Sequence, residues 1–563
     1  MSDLIDALWR QAQTQPQGQA LGFWQPDPAK RQRLSLAQFW DQVQRVASAM
    51  RQQLPAGSRV LLLFEPSIEF GVAFWACLRA GMVAVPTYPP ADPRTRSRFL
   101  EIAKDAQADW TLTTRQILKQ SQWVRWLIGS LRRMRWQALE DLLAHESLDL
   151  PAVADSELAL LQYTSGSTAS PRGVMLSHAN LHANVTALNQ ARQQAGDTPE
   201  HFVCWVPLYH DMGLISGVVM PLVLGYPSTL LSPLHFLQQP LRWLQAISEV
   251  RGTISAGPNF AYELCLRRVK PEQLAALDLS SWRVALNGAE AILPETLERF
   301  ATFFAPCGFR REALYPSYGL AESTVFVCGP KPGQIPELAT FDTEALQAHR
   351  AEPSAEPDAR TLVSVGRCWN QGQVRIVAPD SSLPCEPGQI GEIWLSGPSI
   401  GRGYWQRADE TEQSFAARIA SEPETGPFLR TGDLGFVWQE ALFITGRIKE
   451  LIIVHGQNYY PQPIEQLIQD ADPAFRPGCG AAFAVGQNPE RVVVVQEVRK
   501  QVTHTAQELE ALARAALYEH LGLPLSELVL LPAGQLPKTS SGKVQRGRCR
   551  ELYLKGKLKR WKA

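Results

Sequence analysis

Nine cysteines are scattered over 563 residues with no CxxC or CxxH spacing, and their odd number fits neither a disulfide framework nor a structural zinc site. A reducing cytoplasm is the compartment this usage predicts. Charge of one sign is also missing: Lys+Arg and Asp+Glu both total 55, so no overall field favours nucleic acid as a partner. The longest apolar run, 214–231, is broken by Gly217, Pro221, Gly225 and Pro227. A bilayer-spanning helix needs about twenty apolar residues, so no transmembrane segment is expected and a buried helix and strand are. The N-terminus lacks the basic start and apolar stretch of a secretory signal, and its Leu4, Ile5, Leu8 and Trp9 recur instead at helical spacing. Neither GxxxxGK[ST] nor a GxGxxG opening a helix is present, which excludes the two commonest nucleotide loops.

What is present is 45% hydrophobic residues, enough for a sizeable core in several domain-sized units. Residues 36–54 read as an amphipathic helix, 58–64 as a buried strand, 68–80 as an apolar helix and 82–87 as another strand. Helices alternating with short, continuous apolar runs predict an α/β fold with parallel sheets. Between two apolar runs lies Thr164 to Arg172, a loop of small and hydroxyl residues closed by one cation. Small side chains, Gly166 among them, let backbone N–H groups crowd an anion, while Ser165, Ser167, Thr168 and Ser170 add hydroxyl donors and Arg172 adds charge, a combination suited to a polyphosphate. Taken as a bare pattern, the same loop also reads as a solvated connection.

Farther along, Asn287-Gly288-Ala289-Glu290 and the stretch from Tyr315 through Tyr318 and Gly319 to Glu322 each end apolar sequence with small residues and a carboxylate. Such segments suit sheet ends that meet a ligand, or helix caps. In WVPLYHDMGL, His210 stands beside Asp211 and Met212, and is read either as catalytic or as a satisfied structural histidine. FLRTGDLG is expected to put Asp433 on a turn, and TGRIKELI puts Arg447 and Lys449 at a boundary, with a short hairpin between Asp433 and Arg447. A compact domain of about a hundred residues is expected from Glu450 onward, opening on a strand in LIIVHG and carrying Lys543 on a polar Gly-Lys loop near its end. From Trp123 to Trp136 basic and aromatic residues alternate at helical spacing, suited to a surface helix or to an acidic or membrane partner. The terminal KGKLKRWKA reads as a frayed basic tail, or as a basic segment suited to an acidic carrier.

TSGST followed by PxGV and SHxN resembles the phosphate loop of the adenylate-forming superfamily, with Ala169 where Gly is usual and Arg172 where Lys is usual. VAVPTYPP, WVPLYHDMGL, SAGPNFAY and HGQNYYPQPIE resemble the fatty acyl-AMP ligase branch of it, and the likeness covers nearly the whole chain. The resemblance implies a large N-terminal domain, 1–447, of two α/β sheets plus a small β-barrel-like subdomain, and a small mobile α+β domain, 448–563, hinged at Lys449. It implies ATP and Mg²⁺ as cofactors, Glu322 as the metal ligand, and Arg172 and Lys543 on the phosphates. Adenine would meet Gly288, Ala289, Glu290, Tyr318 and Gly319, and the ribose would meet Asp433 and Arg447. The acyl chain would lie near His210, Asp211, Met212 and Phe260, with the helix of SAGPNFAY lining its tunnel.

Between Glu322 and Gly366 the chain is longer than in CoA-using relatives, so 323–365 is expected to hold a ligase-type insertion anchored by Phe341, Leu346 and Leu362. The expected reaction joins a fatty acid to AMP and passes the acyl group to an acyl carrier protein in trans, with CoA unused. An acyl-CoA synthetase and a nucleotide-binding homologue with a dead site are the alternatives.

Overall fold

Apolar runs separated by helices become neighbouring parallel strands because each helix must fold back to cover the sheet face its strand leaves bare. In the computed structural model this happens twice. Described are residues 2–89, 93–120, 134–164, 171–193, 199–369, 371–454, 457–486, 491–539 and 542–561.

One sheet has the order Arg135–Ala138, Trp110–Thr113, Arg59–Leu63, Val83–Thr87, Leu158–Tyr163, Gly173–Ser177, parallel except for the last pair. Residues of strand 59–63 alternate between faces, with Val60 and Leu62 in the main core and Leu61 and Leu63 in a separate cluster with Phe99 and Ile102. The other has the order Leu314–Pro316, Val284–Asn287, Ile254–Gly257, Phe202–Cys204, Ser228–Leu230, Gln19–Phe23, Gln32–Ser35, again parallel up to an antiparallel edge. The helices expected at 36–54 and 68–80 run Leu36–Gln53 and Ile68–Arg79 and pack on each other. Ser35 opens the first with a capping box to Gln38.

The smaller β unit is a four-stranded antiparallel sheet, Gln373–Val377, Gly391–Ser396, Leu429–Trp438, Ala441–Arg447. A bridge from Ser364 to Phe443 curls it toward the hairpin Leu338–Phe341 and Arg360–Val363. Beyond Arg447 a three-stranded sheet, Phe475–Val485, Arg491–Val498, Leu525–Leu531, has its own cores. Val492 and Val494 face the helices Pro461–Ala471 and Ala506–Leu521, while Val493 and Val495 face Cys549 and Leu536.

Two local expectations change, and the buried helix and strand expected at 214–231 take a particular form. The part of 123–136 up to residue 133 lies outside the described residues, and Arg135 and Trp136 belong to a sheet-edge strand, where Arg135 lies 4.8 Å over Trp110. Cross-strand pairing decides that segment, and helical spacing cannot report it. The terminal segment is docked as far as Trp561, whose N–H bonds Leu530 O (2.7 Å), while Arg560 pairs with Glu527 at 2.5 Å. The run 214–231 divides into a π-helix, Met212–Val219, a short α-helix, Met220–Leu224, and the strand Ser228–Leu230. No helix among the described residues is long and apolar enough to cross a membrane.

Candidate active site

Three parallel strands end side by side, with Gly257 opposite Asn287 and Asn287 opposite Pro316. The residues just beyond each strand are therefore brought to one place: Asn259 and Phe260, Gly288 to Glu290, and Ser317 to Gly319. Hydrogen bonds tie these segments together. The Phe260 N–H donates to Glu290 Oε1 (2.6 Å), the Ser317 N–H to Asn287 O (2.8 Å), and Asn287 Nδ2 to Asn259 Oδ1 (3.3 Å). Two positions show why small residues are needed. A Cβ on Gly288 would sit 2.6 Å from Ser317 O, and one on Gly319 would sit 1.6 Å from Val325 O. Ala289 holds a φ of +68°, a left-handed conformation that costs a non-glycine residue and clusters at functional sites.

Above these strand ends lies the hairpin formed by Leu429–Trp438 and Ala441–Arg447. Asp433 and Arg447 are register partners on it, so Asp433 lies within a strand and not on a turn. The turn expected from Thr431-Gly432 is a kink in that strand, with Gly432 at φ +71°. The expected hairpin between the two residues is present. The buried Asp433 carboxylate takes the Arg447 Nε at 2.7 Å and the Tyr318 hydroxyl at 2.7 Å. Asp433 raises the Arg447 pKa further, and burial with Asp433 nearby pushes the Tyr318 phenol well up. The trio sets a carboxylate between a guanidinium and a hydroxyl donor.

Ser165, Gly166, Ser167 and Thr168 lie outside the described residues. The frame of their loop is clear: the strands 158–163 and 173–177 are antiparallel neighbours, and the Thr164 N–H donates to Arg172 O (3.2 Å). Arg98 Nη2 donates to Thr164 O at 2.5 Å. Arg172 lies 4.7 Å over the Tyr404 ring and 3.3 Å from Glu410. The Tyr404 hydroxyl donates to Glu322 Oε1 (2.8 Å), joining the loop's cation to the expected metal ligand through one side chain. Below them Tyr163 and Arg407 share Asp105, at 2.7 and 2.9 Å.

Lys543 reaches the site from the C-terminal unit. Its loop is closed by Thr539 N–H to Lys543 O (2.8 Å) and Lys543 N–H to Thr539 Oγ1 (3.0 Å). Gly542, at φ +90°, lies so close to Phe260 that a Cβ there would be 2.6 Å from its ring. Burial lowers the Lys543 pKa, Asp211 and Glu290 oppose that, and Arg447 adds to it. Asp211 is 2.5 Å from His210 Nδ1 and caps the π-helix through the Met212 N–H (2.7 Å). Burial alone would raise the Asp211 carboxyl, but His210, Lys543 and that N–H leave it below its ordinary value. Burial raises Glu290 despite the Phe260 N–H and Lys543. Met212 is buried at the start of the π-helix, and Phe260 stands edge-on to Trp205, 6.1 Å away. Lys449, exposed on the turn Ile448–Glu450, lies between the last strand of the small sheet and the first strand of the C-terminal unit.

The 323–365 connection bears on both units. Phe341, Leu346 and Leu362 are buried with Leu434, Phe436 and Phe443 of the hairpin, the anchoring expected of them, and Tyr460 of the C-terminal unit joins the same cluster. Asn458 Nδ2 donates to Gln347 O (2.9 Å), and Arg360 lies 5.6 Å over Tyr460.

Nothing local in the sequence singles out Tyr404, Glu410, Asp105 or Arg407. Among the described residues no three His, Cys, Asp or Glu side chains gather, so the carboxylate that the resemblance offers a metal, Glu322, has no cluster of further protein ligands about it. One hard carboxylate fits Mg²⁺, which commonly takes one or two carboxylates and lets substrate phosphates and waters supply the rest.

Comparison with known proteins gives the family. Residues 8–405 match the AMP-binding enzyme family, and residues 449–563 match the AMP domain of the Disco-interacting protein 2-like family. The medium-chain-fatty-acid–[acyl-carrier-protein] ligase JamA of Moorena producens is 42% identical, over 100% of this chain and 97% of its own length. The long-chain-fatty-acid–AMP ligase FadD28 of Mycobacterium tuberculosis is 37% identical over 92% of this chain and 93% of its own. The fatty acyl-adenylate ligase of Legionella pneumophila, solved with acyl adenylate and pyrophosphate, is 35% identical, with a TM-score of 0.76 over 98% of this chain and 96% of that one. With the strand ends, the Tyr318–Asp433–Arg447 trio and the Lys543 loop arranged around one site, the chain belongs to the AMP-binding enzyme family.

Proposed function

We propose that this protein is a fatty acyl-AMP ligase that loads an acyl carrier protein. The observation carrying the proposal is Lys543, buried on a loop of the second domain whose Gly542 packs against Phe260, and near enough to Asp211 and Glu290 for both carboxylates to favour its charge. A lysine so placed has its charge available for phosphate, while the carboxylate of a fatty acid enters on the side of His210, Met212 and Phe260.

Tyr318 lies against adenine with Gly288, Ala289 and Gly319, and Asp433 and Arg447 hold the ribose. The fatty carboxylate oxygen attacks the α-phosphorus, the bond to the β-phosphate oxygen breaks, and pyrophosphate leaves. Two anions must approach and negative charge builds on the phosphoryl oxygens, so Lys543, Arg172 and the loop 164–168 act by positioning and by charge stabilisation. Mg²⁺, held by Glu322 and the phosphates, would neutralise charge on the departing pyrophosphate. In the second half, a phosphopantetheine thiol loses its proton and attacks the acyl carbon, and AMP leaves. CoA carries the same thiol, so acceptor choice must come from how the lid domain is held.

The domains this reading uses are 1–447, 448–563 with Lys449 as hinge, and a connection at 323–365. Insertion contacts at Gln347 and Arg360 tie the lid to the large domain and support a carrier protein over CoA as acceptor. A cytoplasmic setting suits the cysteines, all of which are free thiols. Product analysis with a panel of fatty acids, with and without CoA and carrier proteins, tests the proposal. Acyl-AMP and pyrophosphate with negligible acyl-CoA is expected, and robust acyl-CoA synthesis would overturn the carrier-protein reading.

A further inference from the structure

Cys328 and Cys368 are register partners on two antiparallel strands, Cys328–Gly329 and Arg367–Cys368, with their sulfurs 3.3 Å apart. Backbone pairing explains the approach. The Cys328 N–H bonds Tyr318 O (3.1 Å) and its carbonyl accepts the Tyr318 N–H (3.0 Å), so both polar groups point away from Cys368. In an antiparallel ladder such residues form a non-hydrogen-bonded pair, with Cα atoms about 4.5 Å apart and side chains at their closest. That separation lies within the range a disulfide spans, roughly 4.4–6.8 Å.

Access is one-sided. Cys328 is buried and Cys368 half-buried, and Cys368 lines a cavity of about 430 Å³ together with Lys331, Arg367 and Trp369. A small oxidant entering there meets Cys368 first and finds Cys328 directly behind it.

We propose that Cys328 and Cys368 form a reversible oxidation site, converted by a hydroperoxide into a disulfide that clasps the two ends of the 323–365 connection. The Cys368 sulfur attacks the terminal peroxide oxygen, the O–O bond breaks, and an alcohol, or water from hydrogen peroxide, leaves. The Cys328 sulfur then attacks the resulting sulfenic acid and a second water leaves. Both thiol protons end in the oxygen products, and the two electrons lost by sulfur reduce the peroxide. No residue of the adenylating site takes part, so the inference does not depend on the substrate proposed above.

The full-length protein is treated with stoichiometric hydrogen peroxide, quenched with an alkylating agent, and mapped by mass spectrometry without reduction. Expected are a single cross-linked peptide pair joining 328 to 368, its reversal by dithiothreitol, and a melting temperature raised by a few degrees, because the cross-link removes freedom from the unfolded chain. Cys368→Ser, at the more exposed position, abolishes the cross-link and the shift while keeping the unoxidised melting temperature near wild type. Cys328→Ala gives an independent second loss. Cys368 oxidised to the sulfinic acid with Cys328 still alkylatable, or a cross-link formed to another cysteine, would overturn the proposal.

Discussion

The two halves of the site are assembled differently. Tyr318, Asp433 and Arg447 come from one domain and are fixed by backbone, since Asp433 and Arg447 are opposed in a hairpin and Tyr318 follows a strand end. Lys543 arrives on a loop of another domain that rests on Phe260, with Arg267 Nη1 to Pro477 O (3.2 Å) as a further contact across the junction. Within its own domain that loop is braced by Arg546, which bonds Glu465 at 2.7 Å and Glu450 at 3.0 Å. Substitution in the first half should therefore affect stability and nucleotide affinity together. Substitution of Lys543 should affect turnover alone.

Lys543→Ala sharpens that contrast most. Loss of one preorganised charge stabiliser should slow acyl-AMP formation about 10²–10³-fold, with the melting temperature unchanged. Pyrophosphate release and thermal unfolding measure the two quantities, and normal adenylation would remove Lys543 from the site. Burial depresses its pKa, and only the charged form can stabilise phosphate, so the wild-type rate should fall as pH rises through a value below the ordinary lysine range. Lys543→Arg should lack that fall. Asp433→Asn is the matching change in the fixed half. It weakens charge-assisted hydrogen bonds from Arg447 and Tyr318 worth about 1.5–3 kcal/mol each, so kcat/KM for ATP should drop about 10- to 100-fold. Unlike the lysine variant, it should also melt at a lower temperature, and an unchanged melting curve would break the comparison.

Residues whose partners lie near in sequence, or whose role comes from a loop's own chemistry, are legible in the sequence. The spacing from Asp433 to Arg447 implies a hairpin, and the polar run after Tyr163 implies a loop between strands. The apolar anchors Phe341, Leu346 and Leu362 stand out in a polar connection. Tyr404 is not legible: its hydroxyl meets Glu322 and its ring meets Arg172, both far away in sequence, and no local periodicity reports such a meeting. The same holds for Arg135, which a helical pattern claims and a sheet edge takes. The π-helix at 212–219 packs in a way no local pattern reports: a Cβ on Gly213 would lie 2.3 Å from Pro207 O and one on Gly217 would lie 2.6 Å from the Cys204 sulfur.

Between the two halves stands the Glu322–Tyr404–Arg172 link. Glu322→Gln should raise the Mg²⁺ concentration needed for half-maximal adenylation, because a hard cation loses an anionic ligand. Tyr404→Phe should do so more weakly, by about fivefold, the loss of roughly 1 kcal/mol from one hydrogen bond. Superimposable Mg²⁺ titrations for the wild type and both variants would separate this link from the metal site.

The last expected effect bears on how the C-terminal unit is held against the large one. Deleting about twenty residues within 338–360 should permit some acyl-CoA formation, but it also strips Phe341 and Leu346 from the cluster that supports Leu434, Phe436 and Phe443. Since that cluster backs the hairpin bearing Asp433 and Arg447, the deletion disturbs both halves at once. Arg360→Ala with Asn458→Ala is more selective, because it removes the stacking on Tyr460 and the hydrogen bond to Gln347 and leaves the apolar anchor in place. A shift of about 1 kcal/mol between domain arrangements changes acceptor use about fivefold. The double variant should therefore make about five times more acyl-CoA than the wild type, at an unchanged rate of acyl-AMP formation and an unchanged melting temperature. If acyl-CoA rises in neither the double variant nor the deletion, the insertion does not restrain the lid, and acceptor choice resides in the lid domain itself.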